Sequence, residues 1–253
     1  MELLVVVSII LVLAAIALPV YGTVMSRMNK AVALNNMRQV TAALISYAGQ
    51  NDGDFPQENI PAGSSWANAA NPELGGKVWY NALPRMAGSK GAGDYSSAPA
   101  TFYAKGNLLF LPGAQYPNGT GSNGNKLERP FFAYGINTKL QRKEAAAEGA
   151  PKVKGTAKLS QITMPARTVA FSEGGIPGEP KAMAIQPAYE GEPKTAGRSF
   201  VERYGGQGVV TFLDGHAEAF AAKDLLSSAG LLIWNTGEVP RVIWCRTPEE
   251  NPN

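Results

Sequence analysis

The feature that most constrains this chain is an uninterrupted apolar run near its N-terminus. Residues 3–21 read LLVVVSIILVLAAIALPVY, and Ser8 is the single polar side chain ahead of Pro19. About 20 apolar residues cross the hydrocarbon core of a bilayer as a helix. A helix is required there because backbone N–H and C=O groups find no water in lipid. The run therefore predicts one membrane-spanning helix.

An amphipathic stretch follows the apolar run. Its apolar positions recur mostly at spacings of three and four, with basic and amide side chains between them. They are Val24, Met28, Ala31, Met37, Val40, Leu44 and Tyr47. This pattern predicts that the helix continues to about residue 50 with one buried stripe, and that Pro19 bends it. Residues 51–54 (NDGD) and Pro56 are expected to end it.

Composition leaves three interpretations of the run open: a cleaved signal peptide, a plain anchor with a stalk, or an assembly helix. Residues 15–17 (AIA) look like a signal cleavage site, but no basic segment precedes the run, which is longer than a usual signal core. Glu2 favours the assembly helix, because a carboxylate beside a membrane span is costly in lipid unless it is paired. In a filament it would pair with the N-terminal ammonium of a neighbouring subunit.

Two N-terminal blocks carry a family resemblance. Residues 1–19 resemble the prepilin-type cleavage and methylation motif, whose mature start usually reads F-T-L-I-E-L-L-V-V. Glu2 falls on the glutamate of that motif and Pro19 on its kink proline. Residues 33–56 are similar to the L-N-N-L-R-Q…Y-A…N-G-x-F-P segment of bacterial pseudopilin-like proteins. The Gly-Phe cleavage site and basic leader are not in this sequence, and Met1 stands where Ile is usual, so we expect the leader to be encoded upstream.

The rest of the chain, with most of the 28 glycines and 18 prolines, predicts a loop-rich head. Strands are predicted at residues 107–111, 131–136, 168–172, 209–213, 217–221 and 241–245, and short helices at 144–148 and 223–229. The net charge of +3 comes from scattered Lys and Arg residues, which indicates a solvated surface and no nucleic-acid partner. A single Cys and a single His exclude an internal disulfide and multi-histidine metal sites.

Residues 208–220 (GVVTFLDGHAEAF) give the best local signal in the head. Two alternating runs flank Asp214 and Gly215, a dipeptide suited to a two-residue type I′ hairpin turn. With that turn, Phe212 would face Ala217, and Val210 would face Ala219. These four side chains would then form an apolar face that packs on the amphipathic part of the N-terminal helix.

Three further blocks resemble the same family. Residues 203–220 look like its C-terminal domain, typically R-H-G-G-x-A-N-V-L-F-x-D-G-H-V, with Tyr204 in place of the leading His. Residues 131–137 (FFAYGIN) resemble its Y-x-x-N segment, and residues 162–173 (ITMPARTVAFSE) its I-x-x-P-S-x-T-V-L-x-x-D segment. The blocks extend to about residue 220 and leave residues 221–253 outside the resemblance.

The polar motifs of the head do not predict catalysis. Asp214 and His216 flank a turn, and no nucleophile is predicted within reach of them. Residues 51–54 lack the later glutamate of a calcium loop, because position 62 is Ala. The glycine-rich residues 205–208 lead into a strand and carry no Lys-Ser/Thr pair, so no phosphate-binding loop is predicted. The sequence predicts no enzyme, no cofactor and no metal ion.

The resemblance implies an α+β, pilin-like fold. A long N-terminal helix (residues 1–50, membrane-spanning in its first half) would pack on an antiparallel β-sheet head with long loops (residues 51–253). The implied role is that of a structural pseudopilin or pilin-like subunit, which assembles into a type II secretion or type IV pilus-like filament. Glu2 would guide assembly, Pro19 would kink the helix, and Asp214 and Gly215 would form the hairpin turn.

The implied partners are copies of the chain, other pseudopilins, the inner-membrane assembly platform and, for the precursor, a prepilin peptidase. The chain would cross the inner membrane once, with its head in the periplasm or on an assembled surface filament. The alternative is a membrane-anchored or secreted binding protein that recognises an extracellular polymer through its loops and its four tryptophans: Trp66, Trp79, Trp234 and Trp244.

Overall fold

The computed structural model describes residues 2–117, 127–140, 142–143, 154–155, 158–234 and 239–253. Its helices are α1 (Glu2–Gln50), α2 (Trp66–Ala70), α3 (Pro72–Gly75), α4 (Trp79–Met86) and α5 (Ala222–Leu225). Its strands are β1 (Tyr134–Asn137), β2 (Arg142–Lys143), β3 (Lys154–Gly155), β4 (Val169–Glu173), β5 (Lys194–Thr195), β6 (Gly208–Phe212) and β7 (Ala217–Phe220). This α+β architecture confirms the predicted class.

Helix α1 is one continuous helix of 49 residues, roughly 70 Å long at 1.5 Å per residue. It runs through Pro19 without interruption. At its C-terminal end, Asp52 adopts a left-handed φ of 54°, and the Gly53 N–H donates to the Ala48 carbonyl at 2.8 Å. This is a Schellman closure, which reverses the chain and satisfies a free carbonyl of the last turn. The helix therefore ends at the residues that the sequence predicts.

Five strands form the main sheet in the order β5-β1-β4-β6-β7, and β2 pairs with β3 separately. The pairs β1–β4, β4–β6 and β6–β7 are antiparallel, whereas β5 pairs with β1 in parallel. The prediction of a purely antiparallel sheet is therefore wrong, and the sheet is mixed. Strand β5 contributes two residues, Lys194 and Thr195, which are too few to give an alternating pattern in the sequence.

The second half of α1 packs against one face of this sheet and against α4. Met37, Val40 and Leu44 on this side of the helix are fully buried. Two polar contacts fix the helix on the β6–β7 hairpin: the Thr41 hydroxyl donates to the Thr211 hydroxyl at 2.8 Å, and Arg38 donates to the backbone carbonyl at position 217 at 3.2 Å. The predicted buried stripe is therefore confirmed for Met37, Val40 and Leu44, with Tyr47 half-buried. It is wrong for Val24, Met28 and Ala31, which are exposed because the head covers only the later turns of the helix.

A second apolar cluster covers the opposite face of the sheet. Val210, Phe212 and Phe220 from the hairpin pack there with Leu225 of α5 and with Trp244. The last strands and the C-terminal segment therefore share a core of their own, which gives residues 221–253 a structural role that the family resemblance does not cover.

Two predicted strands are absent from the described structure. Residues 107–111 form turns, because the Asn107 side chain accepts the Leu109 N–H at 3.0 Å and its own carbonyl accepts the Phe110 N–H at 3.1 Å. Residues 241–245 form a single bridge, in which Ile243 pairs with the backbone beside Thr168. The predicted helix at 223–229 is the shorter α5, and the one predicted at 144–148 lies outside the described residues.

Two methionines of α1 test how the helix divides between core and surface. Met37 is 0% exposed and Met28 is 56% exposed, so the same substitution meets opposite environments on one helix. We expect Met37→Ala to lower the free energy of unfolding by about 2–5 kcal/mol. Met28→Ala should change it by less than about 0.5 kcal/mol. Guanidinium unfolding of the full chain in detergent, followed by tryptophan fluorescence, measures both; equal losses would contradict this packing.

Candidate functional site

Residues 5–15 of α1 are not covered by any other described part of the chain. Every side chain from residue 5 to residue 15 is exposed, and all but Ser8 are apolar. Among the described residues, one helix is long and apolar enough to cross a membrane, and it is this one. Isolated soluble proteins rarely expose a continuous apolar surface of this size, and the segment has the length and composition of a membrane span.

Glu2 and Pro19 both lie within α1, and their side chains are outside the described part of the structure. The backbone places Glu2 in the first turn, at the far end of the apolar segment from the head. The predicted roles of Glu2 in assembly and of Pro19 in bending the helix therefore stay predictions.

An exposed apolar stripe continues beyond the membrane-length segment. Val20, Val24, Met28 and Val32 follow one another at intervals of four residues, and each is between 45% and 56% exposed. Residues four apart lie on the same side of a helix. The stripe therefore faces away from the buried side of α1 and leaves an apolar surface free above the membrane segment.

The β6–β7 hairpin differs from its prediction. Phe212 N–H donates to the His216 carbonyl at 3.0 Å and Gly215 N–H donates to the Phe212 carbonyl at 2.9 Å, so the loop has three residues. Gly215 takes a left-handed φ of 98°, whereas Asp214 does not have a positive φ. A type I turn with glycine in the left-handed position is the usual form of a three-residue hairpin loop. The predicted type I′ turn at Asp214 and Gly215 is therefore wrong.

This extra loop residue shifts the pairing by one. Thr211 faces Ala217, and Val209 faces Ala219. A shift of one residue exchanges the two faces of a strand. Val209, Thr211 and Ala217 consequently face α1, while Phe212 lies in the cluster on the other side of the sheet. The predicted helix-facing set of Val210, Phe212, Ala217 and Ala219 is wrong for Val210 and Phe212.

His216 forms a small polar cluster at the hairpin end. Its Nδ1 lies 2.5 Å from Asp214 Oδ1, its ring stacks on Phe212 with centroids 4.4 Å apart, and its Nε2 lies 3.8 Å from Glu218 Oε1. Arg241 in turn donates to Glu218 at 2.7 Å. Asp214 also accepts the His216 N–H at 3.1 Å, so the turn itself fixes the imidazole.

A cleft of about 540 Å³ opens beside His216. Arg167, Glu218 and Arg241 line it together with aromatic side chains from the second core cluster, and no serine, threonine, cysteine or lysine is among its described lining residues. Trp244 also lines it and is 1% exposed, yet its indole N–H has no hydrogen-bond partner within the described structure. A buried donor without an acceptor costs about 1–3 kcal/mol.

The most buried charges of the head form an ionic network that was not predicted from the sequence. Arg203 donates to Glu173 at 2.6 Å and, through Nε, to Glu179 at 2.8 Å. It also donates to the carbonyls of Ala133 at 2.9 Å and Gly174 at 2.8 Å. All three charged side chains are at most 2% exposed. Arg203 and Glu173 fall on the Arg and the Asp of two family-like blocks, which is the one sequence signal for this pair.

Backbone donors complete the network. Glu173 accepts the Val209 N–H at 3.1 Å, and Glu179 accepts the N–H groups of Ile176 at 2.8 Å and Gln115 at 3.0 Å. Burial raises the pKa of Glu173 to about 7. Burial opposes ionisation of Glu179 as well, but hydrogen bonds and charge from Arg203 outweigh it and hold the pKa of that carboxyl below its ordinary value. The Arg203 guanidinium therefore outweighs the effect of burial on the pKa of Glu179, but offsets the effect of burial on the pKa of Glu173 only in part.

The remaining candidate motifs have structural explanations. Lys158 Nζ lies 2.8 Å from Asp52 Oδ2 and 3.7 Å from Asp54 Oδ1, so a lysine ammonium neutralises the calcium-like turn. In the part of the chain that the structure describes, no group of three or more His, Cys, Asp or Glu side chains is arranged to hold a metal ion. Trp66, Trp79 and Trp244 are buried, which removes them as an exposed stacking surface for a glycan.

Comparison with known proteins adds no relative. No family model matches the chain, and searches of curated proteins and of solved structures find no match either. The pseudopilin resemblance is therefore carried by the sequence blocks alone.

The ionic network predicts a pH dependence of stability. Because the pKa of Glu173 is raised to about 7 from its ordinary 4.5, its contribution to stability is fully present below about pH 4.5 and is lost as the pH rises through about 7. We expect the free energy of unfolding to fall by about 1–3 kcal/mol between pH 5 and pH 8 from this group. Glu173→Gln should flatten that slope, even if it lowers stability overall.

Urea unfolding of the full chain in detergent across this pH range measures the slope. Glu249→Gln is the matched control, since Glu249 is exposed and forms no described ion pair. A Glu173→Gln chain with an unchanged slope would show that Glu173 does not titrate in this range.

Proposed function

We propose that this chain is a pilin-like subunit that is stored in a membrane through α1 and assembles with its copies into a filament. The observation that carries the proposal is the division of one continuous helix into two parts. Residues 5–15 expose apolar side chains on every side of the helix, apart from Ser8, and the part from about Ala33 onwards buries one side in the head. A plain anchor needs the first property, but a rigid continuation into the core of the head is what a filament spine requires.

The exposed stripe of Val20, Val24, Met28 and Val32 supports this proposal. In a filament, helices of neighbouring subunits would cover it, since helices pack through rows of side chains spaced by four. In the membrane-stored subunit, the lower end of the stripe would meet lipid. The stripe extends the apolar surface beyond the span, which suits contact with other helices.

Assembly is the property to test, with Glu2 as the first target. The full chain is expressed behind a prepilin leader ending in Gly-Phe-Thr-Leu, in a host with a pilus or type II secretion machine. We expect Glu2→Gln to reduce filament formation at least about tenfold, because a neutral amide cannot pair with the ammonium of a neighbouring subunit. Sheared filaments are quantified by immunoblot and electron microscopy.

Glu73→Gln is the matched control for that test, because Glu73 is an exposed carboxylate of the head. The control should assemble like the wild type, and membrane levels of all variants should be equal. Undiminished filaments from Glu2→Gln would exclude the proposed role of Glu2. Absence of filaments from the wild-type chain in a competent host would count against the whole proposal.

Ligand binding by the head is a second candidate function, and the Trp244 cleft favours it. A hydroxyl or carboxylate oxygen of an extracellular polymer would supply the acceptor that the buried indole N–H lacks. The carboxylates of Glu218 and Asp224 line the cleft as well, and Glu218 is paired with Arg241. Arg167, which has no described ion pair, is the cation that suits an acidic polymer.

Trp244→Phe tests this second candidate, because it removes the donor and keeps an aromatic ring. We expect the full chain in detergent to bind an acidic polysaccharide such as alginate, and Trp244→Phe to weaken that binding about 5- to 10-fold. Trp234→Phe, outside the cleft lining, is the control. Sedimentation with the polymer measures binding; equal binding by wild type and Trp244→Phe would exclude the cleft as the binding site.

A further inference from the structure

A second cleft lies where α1 leaves the head towards the apolar segment. It has a volume of about 520 Å³, and it opens between the helix turns that contain Thr23, Ser26 and Arg27 and the loop at Tyr204 and Gly205. The loop is tied to the helix because Lys30 Nζ donates to Gln207 Oε1 at 3.0 Å. The cleft is therefore a formed feature of the junction between helix and head.

Cations and hydroxyl groups line this cleft, and no carboxylate does. Arg27 and Lys30 are one helical turn apart and both belong to the lining. Within the described structure Arg27 has no ion-pair partner, and the hydroxyls of Thr23 and Ser26 donate to no protein acceptor. Thr23, Ser26 and Arg27 thus present hydrogen-bond donors that have no acceptor within the described structure.

The charged residues next to the loop are engaged elsewhere. Glu202 accepts the Ala222 N–H at 2.6 Å, and Arg203 belongs to the buried network with Glu173 and Glu179. Neither neutralises Arg27 or Lys30. The positive charges of Arg27 and Lys30 are therefore available to an anionic ligand.

The position of the cleft along α1 decides which ligand is near. Residues 3–21 span about 28 Å as a helix, close to the roughly 30 Å of a bilayer core. Arg27 lies about 9 Å beyond Tyr21 and Lys30 about 14 Å beyond it, at or just above the head-group layer. Helical side chains lean towards the N-terminus of their helix, which here is the membrane side. Both cations therefore lean back towards lipid head groups.

We propose that this cleft binds the phosphate of an anionic phospholipid head group in the membrane-held subunit. The guanidinium of Arg27 and the ammonium of Lys30 supply charge-assisted hydrogen bonds to phosphate oxygens, and the hydroxyls of Thr23 and Ser26 supply further donors. The inference rests on the membrane-spanning part of the proposed function and is independent of filament assembly. It assigns to the junction a site that fixes the height and orientation of the head over the bilayer.

The full chain in a non-ionic detergent tests the site by native mass spectrometry. Dioleoyl phosphatidylglycerol is titrated in parallel with dioleoyl phosphatidylcholine. The double variant Arg27→Gln/Lys30→Gln removes both charges, and glutamine at position 30 still allows a hydrogen bond to Gln207. Lys77→Gln/Lys105→Gln loses the same charge from exposed head residues outside the cleft.

We expect the wild type and the control to bind the anionic lipid about tenfold more tightly than phosphatidylcholine, and the cleft variant to lose this preference. Circular dichroism melting should be the same for the wild type and both double variants. An unchanged preference in the cleft variant, or an equal loss in the control, would overturn the proposal. Inorganic phosphate that displaces the lipid at sub-millimolar concentration would also overturn it, because the site would then take a free anion.

Flotation with lipid vesicles distinguishes a failure of the head-group site from a failure of the membrane span. A wild-type chain that fails to float with phosphatidylglycerol vesicles contradicts the membrane span itself. A chain that floats but shows no lipid preference contradicts the head-group site alone. Crosslinking of Arg27 to a carboxylate of a second copy, unaffected by phosphatidylglycerol, would assign the cleft to subunit contacts and overturn the lipid assignment.

Discussion

The structure depends on one helix, α1, whose two ends lie in different environments. From about Ala33 onwards, α1 buries a stripe of side chains against strands of the sheet, and the Thr41–Thr211 hydrogen bond fixes its position there. Near its N-terminal end, residues 5–15 of the same helix carry apolar side chains, apart from Ser8, that no other described part of the chain covers. The hydrophobic effect that holds the head together would also favour an apolar environment around these residues.

The buried ionic network links this arrangement to the loops. Glu173 ends β4, Glu179 lies in the loop that follows, and Arg203 precedes β6, so a single guanidinium connects three segments. Buried ion pairs add little net stability compared with apolar packing, but their geometry is specific. Because Arg203 is held on one side, the adjoining loop at Gly205 is presented to α1, where it closes the cationic cleft. The network in the core and the cationic cleft at α1 are thus connected through the segment at residues 203–205.

Patterns in the sequence predicted the elements whose formation depends on residues close together in the chain. The spacing of apolar residues predicted α1 and the buried positions Met37, Val40 and Leu44, and the NDGD segment predicted its end. The same spacing also assigned Val24 and Met28 to the buried side, because periodicity does not tell where along a helix the head begins to cover it. Strands β4, β6 and β7 followed from short alternating runs. The predicted turn of the hairpin was wrong because Asp214-Gly215 suits both a two-residue and a three-residue loop. The difference of one residue exchanges the two faces of the strands. Strand β5 has too few residues for any periodicity.

The sequence by itself determined that the chain has a membrane-length apolar helix, an amphipathic continuation and a loop-rich α+β head, because each depends on neighbours within a few turns of chain. The tertiary structure alone decided which face of the hairpin meets α1, how Arg203 reaches two carboxylates, and where the unpaired cations lie. Lys30 and Gln207 are separated by 177 positions, and no pattern along the sequence relates them. Contacts of that kind exist only once the sheet has brought distant segments together.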